Sequence, residues 1–306
     1  MTVAGPPGGQ PEEFRPSDRR PVTPTSDLSV AEAAALRRVG LSPVGFVMGT
    51  AVMQLVSGFT GSMMGGPLAM AGGGWGGLLS PVRSRGEYAE AFPCAHGYAW
   101  GTGAAEHYGF NAENTVLAGS LFEGYGLAFS RLQQEAVALG AHGVVGVDPV
   151  FEYLVGGAGT ATFLVTGTAV VHAGSAPLET PFLTNASGQS FERLVGLGYV
   201  PAGIAVGVGV VYVKPNCVAS GNLTAVGANR QIPAAIGVAR GRARQWLAGT
   251  GHKMGEGVVH TDWTDSRIVR YGESWNQLAL GIGTAVRRFR SEAEPLVPRP
   301  VVSLRP

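Results

Sequence analysis

Ser29-Val-Ala-Glu-Ala-Ala-Ala-Leu-Arg-Arg-Val-Gly-Leu-Ser-Pro-Val-Gly-Phe-Val-Met-Gly49 returns later in the chain as Ser187-Gly-Gln-Ser-Phe-Glu-Arg-Leu-Val-Gly-Leu-Gly-Tyr-Val-Pro-Ala-Gly-Ile-Ala-Val-Gly207. At one constant offset Ser29 meets Ser187, Leu36 meets Leu194, Gly40 meets Gly198, Pro43 meets Pro201 and Gly45 meets Gly203. Two later blocks match in the same order. Gly143-Val144-Val145 falls on Gly257-Val258-Val259, with Asp148 on Asp262, and Gly167-Thr168-Ala169-Val170 falls on Gly283-Thr284-Ala285-Val286. Collinear matches of this kind argue for a duplicated unit, and such repetition outranks any local signal in setting the architecture. The first copy holds more residues between its front and back blocks, and the surplus falls at about residues 58–93.

Each copy reads alike. Ser29 and Ser187 suit helix N-caps, where a hydroxyl accepts from a first-turn N–H. Gly40 and Gly198 suit the residue after a helix, where a left-handed backbone costs least without a Cβ. Val44–Leu55 and Ala202–Val213 are apolar nearly throughout, which predicts strands covered on both faces. Phe129, Leu132, Ala136 and Leu139 mark one helical face, as do Ile236, Ala239, Ala243 and Trp246, with Gly140 and Gly249 ending the two helices. In the closing segment Phe163, Val165, Gly167 and Ala169 alternate with Thr162, Leu164, Thr166 and Thr168, as a strand requires. The expected fold class is α+β: two tandem repeats of a helix–β–α–β–β unit. The first unit spans 27–172 with its insertion, and the second spans 186–290. Residues 173–185 read as a linker, and the Pro-rich 1–26 and 291–306 read as disordered ends.

Composition excludes several classes. With 22 Lys+Arg against 21 Asp+Glu, the net charge of +1 argues against nucleic-acid coating or polybasic membrane attachment. Two cysteines cannot build a disulfide framework. The first thirty residues hold six prolines and no apolar run, so no secretory leader is read there and the expected location is cytoplasmic. Val39–Val82 carries no charge and five of the 7 methionines: Met48, Met53, Met63, Met64 and Met70. Gly65-Gly66-Pro67 and the glycines from Gly72 to Gly77 interrupt it too badly for a membrane helix. A pliable loop that covers a sheet edge or meets a partner is the expectation, because methionine adapts to irregular surfaces.

The blocks Leu139-Gly140-Ala141-His142-Gly143-Val144-Val145-Gly146-Val147 and Val165-Thr166-Gly167-Thr168-Ala169-Val170, preceded by Arg131-Leu132-Gln133-Gln134-Glu135-Ala136, resemble the YbjQ-like family. The front block Pro43-Val44-Gly45-Phe46-Val47-Met48-Gly49 is similar to tandem members of that family. Copy two departs from the pattern, with His260-Thr261 where copy one has Gly146-Val147. The resemblance implies a compact, dodecin-like β-α-β-β unit that forms ring-shaped pentamers in single-domain relatives. It also implies a heavy-metal-binding label, with a divalent heavy metal as the ligand, and no catalytic residue. An odd ring cannot be built in one layer from covalent pairs, so stacked layers or a departure from the ring would be needed. The expected partner is a second copy of the chain, a homo-oligomer, and neither nucleic acid nor membrane.

For a metal, Cys94-Ala95-His96 is the best local candidate. At a strand period of two both side chains share a face, and a soft metal takes S and N ligands. His107 could join them. The same residues also fit a small packed thiol beside a surface imidazole. No C-x-x-C clamp is present. His260 and Asp262 would share a strand face, yet the first copy has Gly146 in place of the histidine. Nucleophilic catalysis finds no Gly-x-Ser-x-Gly elbow, and Gly72–Gly77 lacks the Lys-Ser/Thr of a phosphate loop. Arg240, Arg242, Arg244, Arg287, Arg288 and Arg290 form the one basic concentration, expected to be solvated or paired with acids. The reading is a non-enzymatic, oligomer-forming protein with heavy-metal binding as its implied activity. The alternative is an adaptor whose Gly/Met-rich insertion docks a partner or a membrane surface.

Overall fold

The structure is a computed structural model, and it describes residues 26–55, 88–93, 108–153, 160–176, 178–216, 230–271 and 274–290. It is mixed α+β, with four helices and two sheets among the described residues. In chain order these are α1 (Val30–Arg38), β1 (Leu41–Gln54), β2 (Ala89–Pro93), β3 (Tyr108–Glu113), α2 (Thr115–Ala138), β4 (Gly143–Tyr153) and β5 (Thr160–His172). After them come β6 (Phe182–Leu183), α3 (Gly188–Gly196), β7 (Tyr199–Lys214), α4 (Gln231–Met254), β8 (Gly257–Tyr271) and β9 (Ser274–Arg288). The first sheet has the order β1-β5-β4-β6 and the second β2-β3-β7-β9-β8.

Local chemistry explains the helix ends. Ser29 accepts from the Glu32 amide while the Glu32 carboxylate accepts from the Ser29 N–H, a reciprocal cap. The hydrogen bonds from Ser29 hold the Glu32 carboxyl below its ordinary range. Ser187 caps α3 through the Ser190 amide. Gly40, Gly140 and Gly198 all adopt positive φ just beyond their helices. Gly249 does not end a helix: α4 runs on to Met254 and closes at Gly255. A single glycine costs a helix only about 1 kcal/mol, which the packing of Ala243, Leu247 and Gly251 outweighs.

The strands pair β1–β5–β4 and β7–β9–β8, all antiparallel. Irregularities fall at Pro43/Gly45 and Pro201/Gly203, and again at Val145/Asp148 and Val259/Asp262. α2 lies on the odd-numbered face of β1, where a Cβ on Gly49 would collide with the Ala128 carbonyl oxygen. α4 lies on the odd-numbered face of β7 in the same way, with Gly207 under Ala243 and Gly209 under Ala239. One core joins α2, the inner face of the first sheet and the even-numbered residues Val206, Val208, Val210, Leu278, Leu280 and Ile282 of the second. A smaller core, with Val211, Val213, Ala239 and Trp275, sits under α4.

Three expectations change. β7 is covered on both faces as expected, but β1 is not: Phe46, Met48 and Val52 are 40%, 49% and 64% exposed on its even-numbered face. The insertion gains a strand: its described end, beyond the uncharged 39–82 stretch read as a loop, forms β2, which pairs with β3, and β3 in turn pairs with β7. The segment read as a linker ends in β6, which adds in parallel to β4. Residues 56–87, most of the Gly/Met-rich stretch, and the two chain ends 1–25 and 291–306 lie outside the described residues.

Candidate functional site

Cys94, His96 and His107 lie outside the described residues. Among the described residues no group of three or more His, Cys, Asp or Glu is placed to hold a metal. His142 and His172 are engaged with each other and with Ser175. His142 is buried, and its Nδ1 accepts from the His172 backbone N–H at 3.2 Å. The His172 ring in turn meets the Ser175 hydroxyl at 2.9 Å. His260 and Asp262 do not obey a simple strand alternation: His260 has φ +51° inside the bulge, the place where β4 carries Gly146 at φ +62°. Asn185 ties both together, its Nδ2 donating to the His260 carbonyl at 2.6 Å and to the Asp262 carboxylate at 3.0 Å.

Asn185 is half-buried beside the buried hydroxyls of Thr184 and Thr284. The Thr184 and Thr284 hydroxyls lie 2.8 Å apart, Thr284 donates to Asn185 Oδ1 at 2.6 Å, and the Asn185 N–H donates to Thr284 Oγ1 at 3.2 Å. The front of the chain repeats this contact, because the Asp27 N–H donates to Thr168 Oγ1 at 3.4 Å. Asp27 stands to Asn185, and Thr168 to Thr284, as the sequence matches pair them.

The edges of the sheets differ. On β4 the edge is filled: Phe182 N–H donates to His142 O at 3.1 Å, Thr184 N–H to Val144 O at 3.0 Å, and Val147 N–H to Thr184 O at 3.0 Å. The Phe182 ring lies where a Cβ on Gly143 would go. On β8, the last strand of its sheet, no further strand pairs among the described residues. The space over Gly257, the counterpart of Gly143, is open. An open groove of about 400 Å³ runs there, lined by Arg244, Leu247, His252, Glu256, Gly257 and Thr261. β1, the other terminal strand of the first sheet, is closed by side chains, since Glu135 accepts from the Met48 N–H and Arg131 donates to the Thr50 carbonyl. Charged caps of this kind keep a free edge from pairing.

The arginine concentration is largely paired within the chain. Arg240 forks onto Asp265, Arg242 meets Glu113 at 3.0 Å, Arg288 meets Glu256 at 3.5 Å, and Arg287 donates to the Met254 carbonyl. Arg244 instead lies over the Trp263 ring at 5.8 Å. The buried amides are likewise used in binding elements together. Asn111 and Gln231 exchange hydrogen bonds between β3 and α4, and Asn114 holds Asn276 at 3.0 Å. No helix among the described residues is long and apolar enough to cross a membrane.

Comparison with protein-family models and with curated proteins finds no match to the chain. The β8 edge and its groove were missed by reading motifs one at a time. The signal that locates them is the offset itself, which sets Ser26-Asp27 against Thr184-Asn185 and Gly257 against Gly143.

Proposed function

We propose that this is a non-enzymatic, self-associating protein built from two descendants of one helix–β–α–β–β unit. The observation that carries it is the repeated pairing irregularity together with the repeated amide-to-threonine contact. Bulges at Pro43/Gly45 and Pro201/Gly203 face Val170/Ala169 and Val286/Ala285, and Asp27–Thr168 has its double in Asn185–Thr284. Such geometry is specified residue by residue and is kept when a unit is copied. Buried polar groups such as Thr184, Thr284, Asn111 and Gln231 join elements rather than align a nucleophile with a base, which supports a binding or assembly role over chemistry. The bare even-numbered face of β1 supports association, since large exposed apolar patches mark contact surfaces.

Heavy-metal binding belongs to this proposal through the YbjQ-like resemblance, with Cys94, His96 and His107 as the ligands. Native mass spectrometry with metal analysis, on protein purified without added metal, tests both parts. Assemblies of two or more chains support the reading, and a monomer at all accessible concentrations overturns it. Stoichiometric Zn, Cu or Ni lost on Cys94→Ser plus His96→Ala places the metal on those residues. Metal unchanged in that double variant removes them.

A further inference from the structure

We propose that the chain assembles head to tail, with residues 26–28 of one copy adding as a strand to the edge of β8 in the next, an edge that no strand among the described residues pairs. The inference deepens the self-association proposed above and rests on it.

The contact already exists once inside each chain. Residues 182–186, which lead into α3, lie along the edge of β4, and Gly146 N–H completes the ladder by donating to Ala186 O at 3.1 Å. Thr184 and Asn185 meanwhile hold the second half through Thr284. This segment therefore bridges the edge of one unit and the body of the next. Its counterpart is residues 24–28, of which 26–28 are described; it is held by its own unit in the matching way, through Asp27 N–H on Thr168 Oγ1, and Ser26 and Asp27 are exposed. What β4 receives, β8 lacks among the described residues: the seat of Phe182 over Gly143 is filled, and the space over Gly257 holds no described atom. By that correspondence the Ser26 N–H would donate to the Val258 carbonyl, and the Ser26 carbonyl would accept from the Thr261 N–H.

Two further surfaces match the same operation. The even-numbered face of β7 is buried by the first half, with Val206 5% and Val210 1% exposed. Their counterparts Met48 and Val52 are bare at 49% and 64%, as a face waiting for the neighbour's unit would be. The contact is heterologous, so repetition closes a ring or continues as a filament.

The test compares the full-length chain with Met48→Glu and Ser26→Pro, using native mass spectrometry and sedimentation, with circular dichroism to confirm folding. Met48→Glu places a charge on the bare face, and Ser26→Pro removes the donor to Val258. Val116→Glu, at an exposed site on α2 away from the contact, is the control. The expected result is an assembled parent and control, with each test variant folded and its dissociation constant raised at least about tenfold. A monomeric parent overturns the proposal together with the self-association reading. An assembled parent whose two test variants keep its dissociation constant overturns the head-to-tail contact alone, as does equal weakening by Val116→Glu.

Discussion

His260 holds φ +51° at a bulge where the matching residue of β4 is a glycine. A left-handed backbone costs a non-glycine residue roughly 1–2 kcal/mol, and glycine gives back part of this through its freer unfolded chain. His260→Gly is expected to raise stability by about 0.5–1 kcal/mol in urea titration, and Gly146→His to lower it by about the same. A lower midpoint for His260→Gly would show that the imidazole makes a compensating contact. Tyr125 is a second site of local cost. Its hydroxyl is buried without a hydrogen-bond partner among the described residues, and burial pushes its ionisation well above the ordinary phenol range. Tyr125→Phe keeps the ring against Phe163, at 5.0 Å, and removes the stranded hydroxyl, for an expected gain of about 1 kcal/mol. Because the folded-state value is raised, the folded chain keeps a proton that the unfolded chain releases above about pH 10, and stability falls as pH rises past that point. The phenylalanine variant should lose less stability between about pH 9 and pH 11 than the parent, and equal losses would refute the assignment to Tyr125.

Asn114 does two jobs for the elements around it. Its Oδ1 caps α2 by accepting from Leu117 N–H, and its Nδ2 donates to buried Asn276 on β9. Asn114→Ala removes a cap and a buried hydrogen bond to Asn276, and should cost about 1–2 kcal/mol by chemical denaturation. A loss below about 0.5 kcal/mol would mean that neither bond contributes. Caps and faces of this kind were open to reading in the sequence. Ser29, Ser187, Gly40, Gly140 and Gly198 act where their side chains or their lack of a Cβ suggest, and Phe163 to Ala169 alternate as read. The rest depends on partners distant in the chain. β1 and β7 both read as apolar runs, yet only β7 has its second face covered; Thr50 and Gln54 on the even-numbered face of β1, where β7 has Val208 and Tyr212, are the sequence signal of that difference. Short β6 has no periodicity to detect, and its role comes from the β4 edge it meets. Gly249 shows the limit of a lone glycine as a stop signal. The metal candidates Cys94, His96 and His107 share a pattern in sequence whose spatial relation lies outside the described residues.

For the whole molecule, the decisive fact is that the largest core contains both halves. Val47 and Phe163 belong to the same cluster as Val208 and Leu280. A boundary filled with buried aliphatic side chains joins the two halves in one interior, beside the smaller core under α4. Unfolding should therefore be a single cooperative transition, with calorimetric and van't Hoff enthalpies in agreement. Two resolved heat-absorption peaks would contradict this. Phe163→Ala, which empties a fully buried site under Tyr125 and Phe151, should lower the one midpoint for the entire chain, with a loss of roughly 3–5 kcal/mol.

Residues 182–186 lead into α3, yet their backbone hydrogen bonds run to β4 of the first half while Thr184 and Asn185 also reach Thr284 of the second. A gene cut after residue 176 would thus leave a raw seam on both products, one missing its last strand and the other carrying a strand parted from its own edge. Expressed together, the two fragments should find each other and mend that seam, as split reporters do; expressed apart, each should be rescued only by supplying the other.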